Sequence, residues 1–355
     1  MIGYTINSKV DFNSTRDTDG QGTYLASIIA GQGIPDANFF GLASGVAKGI
    51  APHARLAIYK VAWYDSSSIT DLIFTNSDIM SAMEQAIVDG VDIISISLPS
   101  EKPTIEYTKD PIVLASLKAT QNGVLVVAGA SDNGPDVGTV RNEAPWMLTV
   151  GASTIDRSFQ AMIKLGDGVV VKGTSLYTNK FSTPNLTMVY GYNCQENSLI
   201  PKYVTGNILF CDDSSDVNVS TRVHVARTTG AVIAIVVYDD AVDLPSEIYT
   251  MSVVFVTRHQ SYVVLNYYGL ADAPVASLQF KITELGYTPA PMLATFSSVG
   301  PGPMFPEIMK PDLLGPGVNI MASRPNRHPR RRACIQIDSA TSAAAAHVAG
   351  MAALL

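Results

Sequence analysis

Val91-Asp92-Ile93-Ile94-Ser95-Ile96-Ser97-Leu98, then Pro111 to Gln121, then Val124-Leu125-Val126-Val127-Ala128 decide the fold class. The first and third runs are short and β-branched, which reads as buried strand. The middle run has helical length, opens on proline and stops at Asn122-Gly123. Strand, helix and strand with no hairpin turn between them predict a parallel pair joined by a crossover helix. Outward from this unit, Met147 to Val150 reads as a further strand. Upstream, Arg55-Leu56-Ala57-Ile58-Tyr59-Lys60-Val61 reads as a strand, and Ile79 to Asp89 as a helix with Ile79, Met83, Ala86 and Ile87 on one face. The expected class is α/β, a doubly wound parallel sheet.

After about Gly173 the texture changes. Polar, Asn- and Thr-rich stretches separate short β-like runs such as Asn207 to Cys211 and Ala231 to Val237, which predicts an inserted β-rich domain. The first texture returns near Tyr287-Thr288-Pro289-Ala290-Pro291 and ends in an Ala-rich helix from Ser342 to Leu355. The expected organisation is therefore 1–174, an insert over 175–285, and 286–355.

The 355 residues are 47% hydrophobic and 15% charged, enough apolar material for a large core and too much for a disordered chain. A net charge of -7 gives no footprint for nucleic acid, and the dense basic run Arg327-His328-Pro329-Arg330-Arg331-Arg332 reads as a solvated loop. No apolar run has the length to span a bilayer. Met1-Ile2-Gly3-Tyr4 has neither the charge nor the apolar stretch of a signal peptide. Three cysteines allow one pair, Cys194 with Cys211, leaving Cys334 in a different neighbourhood. So few ligands predict neither a metal site nor a cofactor. Asn13, Asn185 and Asn218 each head an Asn-X-Ser/Thr triplet, a pattern common by chance.

Several segments, in order, resemble the plant subtilisin-like serine proteases, the cucumisin-like branch of the subtilase family. Arg16-Asp17-Thr18-Asp19-Gly20-Gln21-Gly22-Thr23 resembles the family's R-D-x-x-G-H-G-T-H. Gly138 to Trp146 and Thr149 to Arg157 are close to the family consensus. Phe296-Ser297-Ser298-Val299-Gly300-Pro301, Lys310-Pro311-Asp312, Ser339-Ala340-Thr341-Ser342 and His347-Val348-Ala349-Gly350 follow in the family's order. The resemblance implies a subtilisin-like fold interrupted by a protease-associated domain, with Gly206 to Asp212 and Gly230 to Ala234 matching strands of that domain. Cys194 and Cys211 both fall within it, so a disulfide would be favoured in a secretory setting. It also implies an extracellular location and polypeptide substrates, or a protease partner held without turnover.

The family hydrolyses peptide bonds with an Asp, a His and a Ser, plus an Asn that donates to the developing oxyanion. Ser342 matches the nucleophile. Gln21 stands at the histidine position, and an amide cannot take a hydroxyl proton near neutral pH. Asp132, in Ala130-Ser131-Asp132-Asn133-Gly134-Pro135, stands at the oxyanion asparagine, where a carboxylate repels the charge to be stabilised. The family's Asp belongs on a strand upstream of these residues, and its helix after the nucleophile leads into further sequence, so the resemblance implies an internal portion of a longer fold. Ser97-Leu98-Pro99 replaces the S-L-G strand end that pairs with substrate backbone, and proline has no N–H to donate. The family's Gly and Pro flanking the nucleophile are here Ala340 and Ala346. Of the five histidines, His347 lies five residues along the helix from Ser342 and faces away, His53 is expected in an exposed loop, and His224 and His259 lie in the insert. His328 belongs to the Arg-rich stretch. The expectation is a subtilase-type chain that is catalytically impaired, with two alternatives, a peptide- or protease-binding protein without turnover and an endopeptidase with residual activity through Ser342.

Overall fold

A computed structural model describes residues 6–65, 72–98, 109–178, 182–212, 218–238, 251–325 and 335–355. The expectations for Pro99, His328, the Arg-rich run and Cys334 lie outside these residues. The chain divides into two compact units: Met1–Ala37 with Gly45–Thr154 and Pro291–Leu355, and Asn38–Ser44 with Ile155–Ala290. The second begins upstream of the expected residue 175, because two strands ahead of that point pair into its sheet.

The first unit is built on a four-stranded sheet in the order β15-β7-β6-β5, every neighbouring pair parallel. Its strands are β5 (Ile93–Ile96), β6 (Leu125–Gly129), β7 (Leu148–Ser153) and β15 (Leu313–Pro316). Helix α2 (Asn76–Val88) starts three residues before the expected Ile79, because the Thr75 hydroxyl accepts the Asp78 N–H and so supplies the cap. Helix α3 spans Pro111–Gln121 as its stop and start signals predict: the Asp110 carboxylate accepts the N–H groups of Ile112 and Val113, and Gly123 takes φ 79°. Ile79, Met83, Ile112, Val113, Ala115 and Ala119 pack on Val126 and Ala128 of β6.

The opposite face of β6 receives α7 (Thr341–Ala352). A side chain on Gly129 would meet Thr341 and Ser342, and one on Gly315 would meet the Ala344 carbonyl at 2.8 Å. Because Ala128 and Gly129 point to opposite faces, α3 and α7 lie on opposite sides of the sheet. Helix α1 (Gln21–Ala30) packs against α7, and β16 (Ile320–Ser323), paired antiparallel with β17 (Ile335–Asp338), packs against α1. Short antiparallel pairs, β1 (Ile34–Phe39) with β2 (Leu42–Ala47) and β3 (Ala62–Tyr64) with β4 (Leu72–Phe74), lie along the chain between α1 and α2. Arg55–Val61 corrects an expectation: it forms no strand, since no ladder partner stands beside it among the described residues, and Leu56 and Ile58 are exposed.

The second unit is a closed barrel, ordered β10-β11-β12-β13-β9-β8-β14. Its strands are β8 (Arg157–Leu165), β9 (Val170–Thr174), β10 (Leu186–Tyr190), β11 (Ile208–Cys211), β12 (Ile233–Val237), β13 (Val253–Val256) and β14 (Val275–Leu285). Strands β10 to β13 run parallel, and the remaining pairings are antiparallel. Phe210, Ile233, Ile235, Val254 and Leu278 belong to one core cluster. Every residue of β12 is buried on both faces, as parallel strands flanked by helices require. Helices α4 (Pro201–Val204), α5 (Val219–Thr228) and α6 (Arg258–Leu270) lie between the strands in sequence. A reciprocal cap between Thr257 and Gln260 starts α6. Among the described residues, no helix is long and apolar enough to cross a membrane.

Cys194 and Cys211 are joined, with Cα atoms 5.6 Å apart and positions separated by 17 in the sequence. Closing a loop of that size removes about 3 kcal/mol of freedom from the unfolded chain. Replacing both cysteines by serine is expected to lower the stability of this unit by about that amount, read from the midpoint of chemical unfolding followed by a probe in the barrel.

Candidate active site

Gln21 is the first residue of α1, and the loop before it is held by carboxylates. Asp17 accepts the Gly20 N–H at 2.7 Å on one oxygen, and the Thr23 N–H and hydroxyl at 2.7 and 2.6 Å on the other. It therefore satisfies donors of the first turn that have no partner within the helix. Burial pushes the Asp17 carboxyl up, but hydrogen bonds from the Thr23 hydroxyl and the N–H groups of Gly20, Thr23 and Asp19 outweigh it and hold the group below its ordinary value. Behind this turn, Asp11 accepts from Thr18 at 2.8 Å and from the Tyr64 N–H at 3.0 Å, and pairs with Lys60 at 2.6 Å. The Lys60 ammonium lies 4.3 Å from the centre of the Trp63 ring, and the Tyr64 hydroxyl donates to Asp19 at 3.0 Å. The loop is thus fixed at both ends.

Ser342 sits in the first turn of α7, which begins one residue earlier than expected. The N-cap is Ala340, in extended conformation and without a capping side chain, so Ser342 does not itself cap the helix. The cap comes from a distant residue: Asp132 accepts the Thr341 N–H at 2.8 Å. Asp132 follows β6, and Gly129 on that strand keeps the approach open, since a Cβ there would lie 3.2 Å from the Ser342 nitrogen.

The structure brings Gln21 and Ser342 together. The Gln21 Nε2 donates to Ser342 Oγ at 3.1 Å. The Gln21 Oε1 accepts from an Arg324 Nη at 3.1 Å, and the other Nη donates to Gln336 Oε1 at 3.0 Å. Asp338 lies 3.9 Å from the same guanidinium. Burial pushes the Asp338 carboxyl above its ordinary value and Asp132 adds to this, against the opposing pull of the Ser339 N–H and Arg324. Arg324, Gln336 and Asp338 were not legible as site residues. Their convergence arises from the β16–β17 hairpin, which sets Ala322 opposite Gln336 and Ile320 opposite Asp338.

The remaining expected residues stand elsewhere. Ser97 and Leu98 follow β5; the Ser97 hydroxyl is buried without a hydrogen-bond partner, and Leu98 packs on the α2–α3 cluster. His347 turns its Nδ1 to the Ala343 carbonyl at 2.8 Å, and burial pushes its pKa down despite hydrogen bonding to the Ala343 and Pro316 backbone. His53, His224 and His259 are exposed. Among the described residues, no cluster of three or more His, Cys, Asp or Glu is placed to hold a metal ion.

The profile of the S8 peptidases, the subtilase family, matches residues 3–355. The chain belongs to the subtilase family. Among its relatives, subtilisin-like protease SBT1.6 of Arabidopsis thaliana is 40% identical over 99% of this chain and 47% of its own length. Subtilisin-like protease SBT1.5 of the same plant is 38% identical over 99% of this chain and 48% of its own length. The chain thus spans about half the length of the curated relatives it matches. A solved structure, the psychrophilic subtilisin-like protease Apa1 from the Antarctic psychrotroph Pseudoalteromonas sp. AS-11, is 16% identical, covering 97% of this chain and 75% of that one at a TM-score of 0.40.

The lowered pKa of Asp17 fixes the sign of a pH effect. A carboxyl more acidic in the fold stabilises it fully above the unfolded value of about 3.8, and that contribution fades as pH falls through the folded value. The stability difference between the parent chain and Asp17→Asn is therefore expected to be constant from pH 7 to about pH 5 and to shrink below about pH 4, measured by urea unfolding across that range.

Proposed function

We propose that this subtilase carries the nucleophile position of a serine endopeptidase without the means to activate it. The observation that carries the reading is the 3.1 Å hydrogen bond from Gln21 Nε2 to Ser342 Oγ. In a working site the partner of the serine accepts its proton as the oxygen attacks the substrate carbonyl, then returns it to the leaving amine. Here the partner is a donor, so the hydroxyl proton has no acceptor at this position. Loss of the histidine in subtilisin lowers turnover roughly a millionfold.

Asp132 compounds the defect. Its carboxylate takes a first-turn N–H of α7, and it brings negative charge to the place where the family's asparagine donates to an oxyanion. Losing such a donor alone raises the barrier by roughly 3 to 4 kcal/mol. The two effects do not add, but neither supplies a base.

The barrel over Ile155–Ala290 is read as the family's protease-associated domain, supported by the motif matches at Gly206 to Asp212 and Gly230 to Ala234 and by its place between β7 and β15. The ligands that fit this reading are polypeptides, substrates in shape or a protease partner, bound without turnover. The Cys194–Cys211 bond favours an oxidising, extracellular setting.

Fluorophosphonate labelling tests the reading. The cooperatively folded chain is expected to label no faster than its Ser342→Ala variant. Labelling that disappears in the variant would return the chain to the active proteases.

A further inference from the structure

Arginine has hydrogen-bond donors only, whereas a side-chain amide offers one donor end and one acceptor end. With the guanidinium 3.1 Å from one end of the Gln21 amide, that end is the oxygen. The nitrogen then faces Ser342, and the hydroxyl oxygen accepts. The orientation of Gln21, and with it the direction of the hydrogen bond to Ser342, is thus dictated from the far side of the amide. We propose that Arg324 is a positioning residue that sets position 21 as a donor toward Ser342 and excludes a general base there, whether glutamine or histidine occupies it. This inference rests on reading Ser342 as the nucleophile position.

A histidine placed at position 21 would meet the same constraint. A base needs its unprotonated nitrogen toward the serine and its N–H on the other side, where an acceptor steadies it. Arg324 offers a donor on that other side. It would pair with an unprotonated nitrogen and leave the ring proton pointing at Ser342, the wrong tautomer for taking a proton. A guanidinium within hydrogen-bond distance also disfavours the imidazolium that must form when the serine gives up its proton.

Arg324 cannot simply swing aside. One Nη is tied to Gln336 on β17, its stem lies against Gly20, where an added Cβ would come within 3.1 Å of Cγ and Cδ, and Asp338 faces it at 3.9 Å. Among the described residues, the charged groups around this corner also include Asp132, which acts electrostatically on Asp338, Asp19, which accepts the Gln21 N–H at 3.2 Å, and Asp17, which accepts the N–H groups of Gly20 and Thr23.

Three chains test the proposal: Gln21→His alone, with Arg324→Met, and with Arg324→Lys. Methionine keeps the stem and removes the donors; lysine keeps charge and donors. The introduced imidazole is titrated by NMR on protein carrying 15N-histidine, the five native rings being identified from the parent chain. Its pKa is expected below about 6.5 in the single variant, higher by about one unit or more with Arg324→Met, and low again with Arg324→Lys.

Fluorophosphonate labelling is expected to stay at the Ser342→Ala background in the single and lysine chains and to rise roughly a hundredfold with methionine. Should the methionine chain fail to melt cooperatively, Arg324→Gln takes its place. The same imidazole pKa in all three backgrounds overturns the proposal, as does labelling of the single variant at the rate of the methionine chain. A shifted titration with no labelling anywhere upholds the role of Arg324 and assigns the remaining block to Asp132 or to the placement of Ser342.

Discussion

The close seating of α7 on the parallel sheet is the constraint on which the first unit depends. A helix can approach strands this nearly only where both surfaces lack bulk, and here Gly129 and Gly315 face a helix whose buried positions include Ala343, Ala344, Ala345 and Ala346. A side chain at either glycine would meet the backbone of the first turns of α7. The same contact places Ser342 beside β6 and within reach of α1. Packing therefore fixes where the hydroxyl is. The polar groups around it decide only what it can do.

Those polar groups show two kinds of local order. Around the loop Asp11 to Gly20, carboxylates collect donors from backbone and side chains, and every bond stabilises the entry to α1. Around Ser342 the pattern is a chain of one-way donations: guanidinium to amide oxygen, amide nitrogen to hydroxyl. Such a chain is stable because each donor meets an acceptor, and the group it turns toward Ser342 is an N–H, which cannot take up a proton. On the proposed reading, ordinary hydrogen-bond satisfaction and the want of a base are one arrangement.

How much of this was legible in the sequence depended on whether the signal was local. Helix α3 carried its own limits in Asp110-Pro111 and Asn122-Gly123, and the structure keeps them. Arg55–Val61 had the composition of a strand, yet a strand exists only beside a partner, and composition says nothing about partners. The helix at Ser342 began a residue early because its cap, Asp132, is remote in the chain. The start of the barrel was placed late because β8 and β9 are claimed by their pairing with β14 and with each other. Motif matching singled out Gln21, Asp132 and Ser342. Arg324 stayed unseen because its bond to Gln21 joins residues 303 positions apart that share no motif.

One feature of the topology bears on the order in which the molecule is made. Strands β7 and β15 are neighbours in one sheet, yet the whole barrel is synthesised between them. Thr154 and Met292, at the two ends of that excursion, bond each other through backbone and hydroxyl. On a ribosome, β5, β6 and β7 emerge before the barrel and β15 and α7 after it, so one face of these three strands lacks its helix while the barrel is made. Until α7 follows, the three strands present apolar surface that the finished fold covers, and exposed apolar surface of this kind promotes aggregation.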